Sequence, residues 1–81
     1  MKMVPFEEFE RLVKEDFRRD YRGYRPIEEI NEYLDNDEDA KDCIEGGYEE
    51  YTSGMFSEGM TAEAHLQACV STASYNAGMF F

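Results

Sequence analysis

Asp35, Asp37 and Asp39 stand at alternate positions in the run LDNDEDA, the spacing with which an EF-hand loop opens its set of calcium ligands. The rest of that loop is missing. Its sixth position needs glycine for a sharp turn and holds Ala40; its twelfth needs a bidentate glutamate and holds Gly46. His65 and Cys69, four residues apart, come closest to a zinc set if Cys43 and a carboxylate approach from another segment. No paired-cysteine spacing accompanies them, and the C-x-x-C of the nucleobase deaminases is absent. Read as a nucleophile and its base, the same two side chains lack an orienting group and an oxyanion site. Carboxylates are plentiful, but a glycosidase pair must face each other across a cleft, and a short chain with helical acids offers little cleft. The expectation is a protein without catalytic residues, metal or cofactor.

What the acids do form is a row. The stretch from Ile27 to Tyr51, IEEINEYLDNDEDAKDCIEGGYEEY, is the most acidic of the chain. On a helix at 100° per residue, Glu38, Asp42, Glu45 and Glu49 fall on one narrow stripe. Ala40, Cys43, Ile44, Gly47, Tyr48 and Tyr51 fall opposite. Successive acids of the stripe are then about 4.5–6 Å apart along the axis, at 1.5 Å per residue. That is comparable to the recurrence of phosphates on a nucleic-acid strand. Asp37, Asp39 and Glu50 widen the band, and Glu28, Glu29, Glu32 and Asp35 supply a second row from the preceding segment. Such rows suit a groove built for nucleic acid, where lysines and arginines read charge and position more than sequence. The competing reading is a merely solvated helix face.

The charge is polarised along the chain. Residues 1–25 hold seven Lys or Arg against six Asp or Glu, a net of +1. Residues 26–81 hold only Lys41 against thirteen acids, a net of −12, within a total of −11. A field of this sign repels nucleic acid and anionic membranes and speeds encounter with basic surfaces. Direct nucleic-acid binding is therefore not expected. Arg18, Arg19, Arg22 and Arg25 interleave with Tyr21 and Tyr24 in FRRDYRGYRP. Arginine and tyrosine in alternation can grip phosphates and bases. Four arginines beside a much larger negative charge are better read as partners for the chain's own acids, or, at Arg18, Arg22 and Arg25, as a basic rim for an acidic edge of a protein partner.

An apolar content of 42% with twelve Phe and Tyr places these 81 residues among folded domains, not acidic tails. They make one domain, 1–81, near the lower limit for a single core. No apolar run approaches the ~20 residues of a membrane span, and Glu7 and Glu8 interrupt the first apolar residues where a secretory signal would continue. A soluble, intracellular chain is expected, with Cys43 and Cys69 as buried thiols, although one bridge between helices stays geometrically open.

The spacing predicts an all-α bundle of about four helices over 5–22, 26–34, 37–52 and 61–79. Pro5 and Pro26 suit first helical positions, and Asp35, Asn36 or Asp37 can cap the third helix, as Thr61 can the fourth. Phe6, Phe9, Leu12, Val13, Phe17 and Tyr21 share one face of the first helix, with Asp16 out of place among them. Glu7–Arg11, Glu10–Lys14 and Glu15–Arg19 are expected ion pairs at i,i+4. Gly46-Gly47 is the weak point of the third helix, costing roughly 1 kcal/mol per glycine relative to alanine. Thr52 to Met60 reads as a loop whose apolar Met55, Phe56 and Met60 fold it back on the core, or in which Met55 and Phe56 offer an exposed contact. The fourth helix, with an apolar face of Ala62, Leu66, Cys69, Val70, Ala73, Ala77 and Phe80, is expected at the centre of the bundle or, through Thr61–Met79, at the seam of a homodimer.

In its small size, helical pattern and acidic run from Glu28 to Glu50, the chain resembles, at the level of class, the small acidic phage-encoded inhibitors of bacterial defence, the anti-CRISPR and antirestriction proteins that imitate nucleic acid. No specific motif is shared, so no residue role is carried over. The resemblance implies a non-enzymatic inhibitor in the cytoplasm of the host bacterium, bound to a basic nucleic-acid-binding protein such as a CRISPR effector or restriction enzyme. The alternative is a small acidic interaction or assembly module whose charge only keeps it soluble.

Overall fold

The computed structural model describes residues 3–53 and 59–81. Its four helices are α1 (Phe6–Tyr21), α2 (Ile27–Asn36), α3 (Glu38–Thr52) and α4 (Ala62–Gly78), and no strand occurs among the described residues. The expected contact at Met55 and Phe56 lies outside the described residues.

Helix starts follow local chemistry. Pro5 and Pro26 sit one residue before their helices in extended conformation, as caps and not as first helical residues. Their carbonyls accept the first helical hydrogen bonds, from Phe9 and Ile30 at 3.1 Å. Asp37 caps α3 by accepting from the Asp39 amide at 2.8 Å, and Thr61 caps α4 by accepting from the Ala64 amide at 3.1 Å. Because nothing breaks the chain before Asp37, α2 runs two residues past Leu34, to Asn36.

Two adjoining clusters make the core. Phe9, Val13, Ile44, Tyr51, Val70 and Ala73 form one, between α1, α3 and α4. Phe17, Ile30, Tyr33, Leu34, Ala40 and Ala77 form the other, where α2 joins. The α1 face is the one its periodicity predicts: Phe9, Val13 and Phe17 are buried, and Phe6, Leu12 and Tyr21 half-buried. The stretch before α1 is strapped to α3 by two tyrosines. Tyr51 Oη accepts from the Val4 amide at 3.0 Å, and Tyr48 Oη donates to the Val4 carbonyl at 2.9 Å. Tyr33 Oη donates to the Ala77 carbonyl at 2.5 Å, tying α2 to the end of α4.

α3 is continuous through Gly46-Gly47. The two glycines play different parts. Gly46 faces open space, whereas a Cβ at Gly47 would lie 2.7 Å from Ala73 Cβ and 3.3 Å from Phe9 Cζ. The missing side chain at Gly47 is what lets α3 lie against α4.

Other expectations change. Asp16 is 8% exposed and pairs with Arg19, so Arg19 is drawn from Glu15 to the buried carboxylate. Arg11 turns from Glu7 to Glu8, which it meets through Nε and Nη2, both at 2.8 Å, and reaches Glu15 at 2.7 Å. These hydrogen bonds hold the Glu8 carboxyl below the usual range. Lys14 keeps Glu10 at 3.7 Å and adds Asp35 of α2 at 3.0 Å. α4 is not the enclosed centre of the bundle, since Ala64, Gln67, Ala68, Ser71, Thr72 and Tyr75 are exposed. Ser74, expected on its polar side, is buried. Phe80, expected on its apolar face, is 59% exposed because α4 ends at Gly78 and the 100° step no longer applies. Phe81 takes the inner place, packed edge-on against Phe17 at 5.4 Å and Tyr21 at 5.3 Å between ring centroids.

Candidate partner-binding surface

α3 divides the residues of the acidic stretch into two faces. Ala40, Ile44, Gly47 and Tyr51 are buried and Cys43 and Tyr48 half-buried, while Glu38, Asp42, Glu45 and Glu49 are all exposed. Since the helix is unbroken, the four carboxylates keep a straight row of roughly 16 Å along its axis. Asp39 and Glu50 are exposed beside it, and Asp37 stands at its N-terminal end, where negative charge is favoured by the helix dipole.

Ion pairing distinguishes α3 from α1. Among the described residues every ion pair belongs to an acid outside α3: Glu8, Glu10, Glu15, Asp16, Glu29 and Asp35. Glu38, Asp39, Asp42, Glu45, Glu49 and Glu50 have no cation partner there. α1 pairs four of its six acids, leaving Glu7 and Asp20 outside any ion pair among the described residues, whereas α3 pairs none of its six and holds Lys41 as its one cation.

The second group of acids divides. Glu28 is exposed at the start of α2. Glu29, Glu32 and Asp37 converge on one open cleft of about 420 Å3, together with Arg25, Tyr33, Asn36, Phe80 and Phe81. Glu32 accepts from Asn36 Nδ2 at 3.0 Å. Arg25 pairs with Glu29 and lays its guanidinium 4.3 Å from the centroid of the Phe81 ring. Sequence reading missed this cleft. Its one visible signal was the i, i+3, i+4, i+7 spacing of Glu29, Glu32, Tyr33 and Asn36, and the aromatic wall comes from the chain's far end.

The arginines do not share one rim. Arg18 is half-buried and donates from Nε to Asn31 Oδ1 at 2.8 Å, and Arg25 is engaged as described. Arg22 is exposed and takes part in no ion pair among the described residues.

His65 is buried and stacks on Tyr51 at 5.3 Å. Its Nε2 lies 3.0 Å from the Tyr51 carbonyl, which can only accept, so this nitrogen carries the proton. Cys69 Sγ is 4.0 Å from that same nitrogen. Cys69 borders a cleft of about 290 Å3 with Glu50 and His65. Burial, with Glu50 nearby, pushes its thiol above the ordinary value, the opposite of an activated nucleophile. Cys43 is raised likewise by burial and by Asp39 and Asp42. The two thiols are free and pack against different core clusters. Among the described residues no three His, Cys, Asp or Glu side chains are grouped to hold a metal ion.

Fold and surface together define an all-α arrangement of four helices in which the acids of α3 take part in no ion pair among the described residues. Compared with protein-family models, with curated proteins and with solved structures, the chain matches none. Among the described residues no helix is long and apolar enough to cross a membrane.

Proposed function

We propose that this protein is a non-enzymatic inhibitor that binds a basic nucleic-acid-binding protein of bacterial defence, a CRISPR effector or a restriction enzyme, in the place of nucleic acid. The observation that carries the reading is the row Glu38, Asp42, Glu45 and Glu49 on an unbroken helix, none of its members paired with a cation among the described residues. Unneutralised carboxylates repel one another within the helix, by a few tenths of a kcal/mol for each pair at i,i+4. A partner that supplies lysines and arginines relieves that repulsion on binding and is steered to the surface by the field. Asp37, Asp39 and Glu50 extend the contact; Glu28, Glu29 and Glu32 form its α2 side, and Arg22 offers a counter-charge at its edge.

The test is competition. CRISPR effectors and restriction enzymes are titrated with the protein in the presence of labelled nucleic acid. The expected result is displacement that weakens steeply with salt. The fourfold reversal Glu38→Lys, Asp42→Lys, Glu45→Lys and Glu49→Lys abolishes it while the helical circular dichroism is kept. Displacement that survives the reversal overturns the reading.

A second reading, assembly of identical chains through α4, draws on the exposure of Ala64, Ala68, Tyr75 and Met79 along Thr61–Met79. It predicts a salt-insensitive dimer in sedimentation velocity that Tyr75→Glu dissociates.

A further inference from the structure

The cleft between α2 and the last two residues has a chemistry of its own. Its base is aromatic: the rings of Tyr33 and Phe81 lie 4.8 Å apart between centroids, tilted by 35°, and Phe80 stands exposed beside them. Its rim is acidic, with Glu29, Glu32 and Asp37 against one cation, Arg25. Of these, Glu29 is neutralised by Arg25, while Glu32 and Asp37 take part in no ion pair among the described residues. An anion is repelled by this rim, and an apolar group would strip water from two unpaired carboxylates. A cation with a flat face satisfies both parts.

The cleft already holds such a group. Arg25 lies on the Phe81 ring and on the Glu29 carboxylate at once. Guanidinium, unlike ammonium, is planar, weakly hydrated and able to fork two N–H groups onto a carboxylate while stacking on a ring. We propose that this cleft receives a second guanidinium, an arginine side chain of the partner's basic surface, stacked on the exposed ring of Phe80 and hydrogen-bonded to Glu32. The inference rests on the reading of the protein as a ligand for a basic partner. It adds that the partner is gripped at a discrete arginine pocket next to Asp37, where the α3 row begins, and not by charge alone.

The test uses hexaarginine and hexalysine as probes of equal charge, followed by amide chemical shifts of the whole chain. Both peptides are expected to shift Glu38, Asp42, Glu45 and Glu49. Only hexaarginine is expected to shift Glu32, Tyr33, Phe80 and Phe81 as well, and to bind about threefold more tightly, the equivalent of one exposed cation–π contact. The double variant Glu32→Gln, Phe80→Ala changes two exposed side chains, so the fold is retained, and it is expected to equalise the two peptides. If the α3 signals move and the cleft signals do not, the acidic-surface reading stands and the pocket is refuted. A preference for hexaarginine that persists in the double variant also refutes the pocket. If neither peptide binds, the acidic-surface reading falls and the pocket with it.

Discussion

Adjacent glycines in one helix are expected to respond with opposite sign to the same substitution. Gly46→Ala and Gly47→Ala both replace a helical glycine, so both gain roughly 1 kcal/mol of helix propensity. At Gly46 nothing lies within 4 Å of the new Cβ, and the gain is kept. At Gly47 the new Cβ would lie 2.7 Å from Ala73 Cβ, an atom fixed to the α4 backbone that cannot rotate away, and 3.3 Å from the ring of the buried Phe9. Two carbons need about 3.5–4.0 Å, so α3 and α4 must part by about 1 Å. Overpacking of this kind costs about 1–3 kcal/mol. Propensity cancels between the two variants, so their difference isolates the packing term, about 1–3 kcal/mol, with Gly46→Ala the more stable. In a domain of this size each kcal/mol moves the melting temperature by about 4–8 °C. Thermal and urea unfolding followed by circular dichroism measure it directly. Ala73→Gly placed on Gly47→Ala should recover part of the loss, because it removes the opposing Cβ. Equal stabilisation by both alanines would refute the close approach of α3 and α4, and with it the packing that turns the acidic row outward.

The alkaline limb of stability should carry the mark of Tyr33. Burial, aided by Asp37, pushes its hydroxyl from 10.0 up to about 12. The folded state therefore holds this proton more tightly than the unfolded state, so the contribution is complete below pH 10 and lost as pH rises through 12, about 3 kcal/mol in all. Tyr33→Phe should flatten that limb in pH-dependent urea unfolding, and an unchanged slope would rule Tyr33 out as its source. Asp37→Ala removes the α3 cap and is expected to cost about 1 kcal/mol, as is Thr61→Ala at α4; urea midpoints check both. Raising salt from about 10 mM to 0.5 M should raise the melting temperature, since it screens the unpaired carboxylates of α3. Asp42→Lys places a cation four residues after Glu38 and three before Glu45, and should stabilise by roughly 0.5 kcal/mol while weakening partner binding. A destabilised Asp42→Lys, or a melting temperature that falls with salt, would contradict the uncompensated row.

The helices were legible because each start carries its own chemistry. Thr61 is read correctly as a cap, Asp37 is one of the three caps that Asp35-Asn36-Asp37 offers, Pro5 and Pro26 mark their helix starts to within one residue, and the period of Phe9, Val13 and Phe17 identifies a core face without help from the rest of the chain. The two faces of α3 were equally visible, because their separation depends on the 100° step alone. What could not be read needed another element to be in place. Asp16 looks like an error within an apolar face until Arg19 is seen turning back to it. Ser74 looks polar by type and is buried by its position. Phe80 and Phe81 are equivalent by composition, yet the end of α4 at Gly78 sends one outward and the other among Phe17, Tyr21 and Tyr33. The acidic row belongs to the legible part of the protein and the arginine cleft to the part that only tertiary contact creates.

The allocation of charge favours the proposed partner-binding role of α3 over a purely solubilising one. If acidity served solubility alone, pairing would be indifferent to location, and α3 would be as compensated as α1. Instead α1 spends Arg11, Lys14 and Arg19 on nearby acids, and Lys14 even crosses to Asp35 of α2, while no cation among the described residues reaches an acid of α3. Lys41, within α3 itself, takes part in none of these pairs although Asp37 lies four residues before it. The resulting repulsion is borne by a helix already weakened by two glycines, one of which faces open space where alanine would be more stable. Unrelieved charge on a helix of low propensity is a standing cost in stability. A basic partner removes it, so the apparent stability of the domain should rise on binding by more than it does on adding salt, because the partner supplies fixed cations where salt supplies only screening.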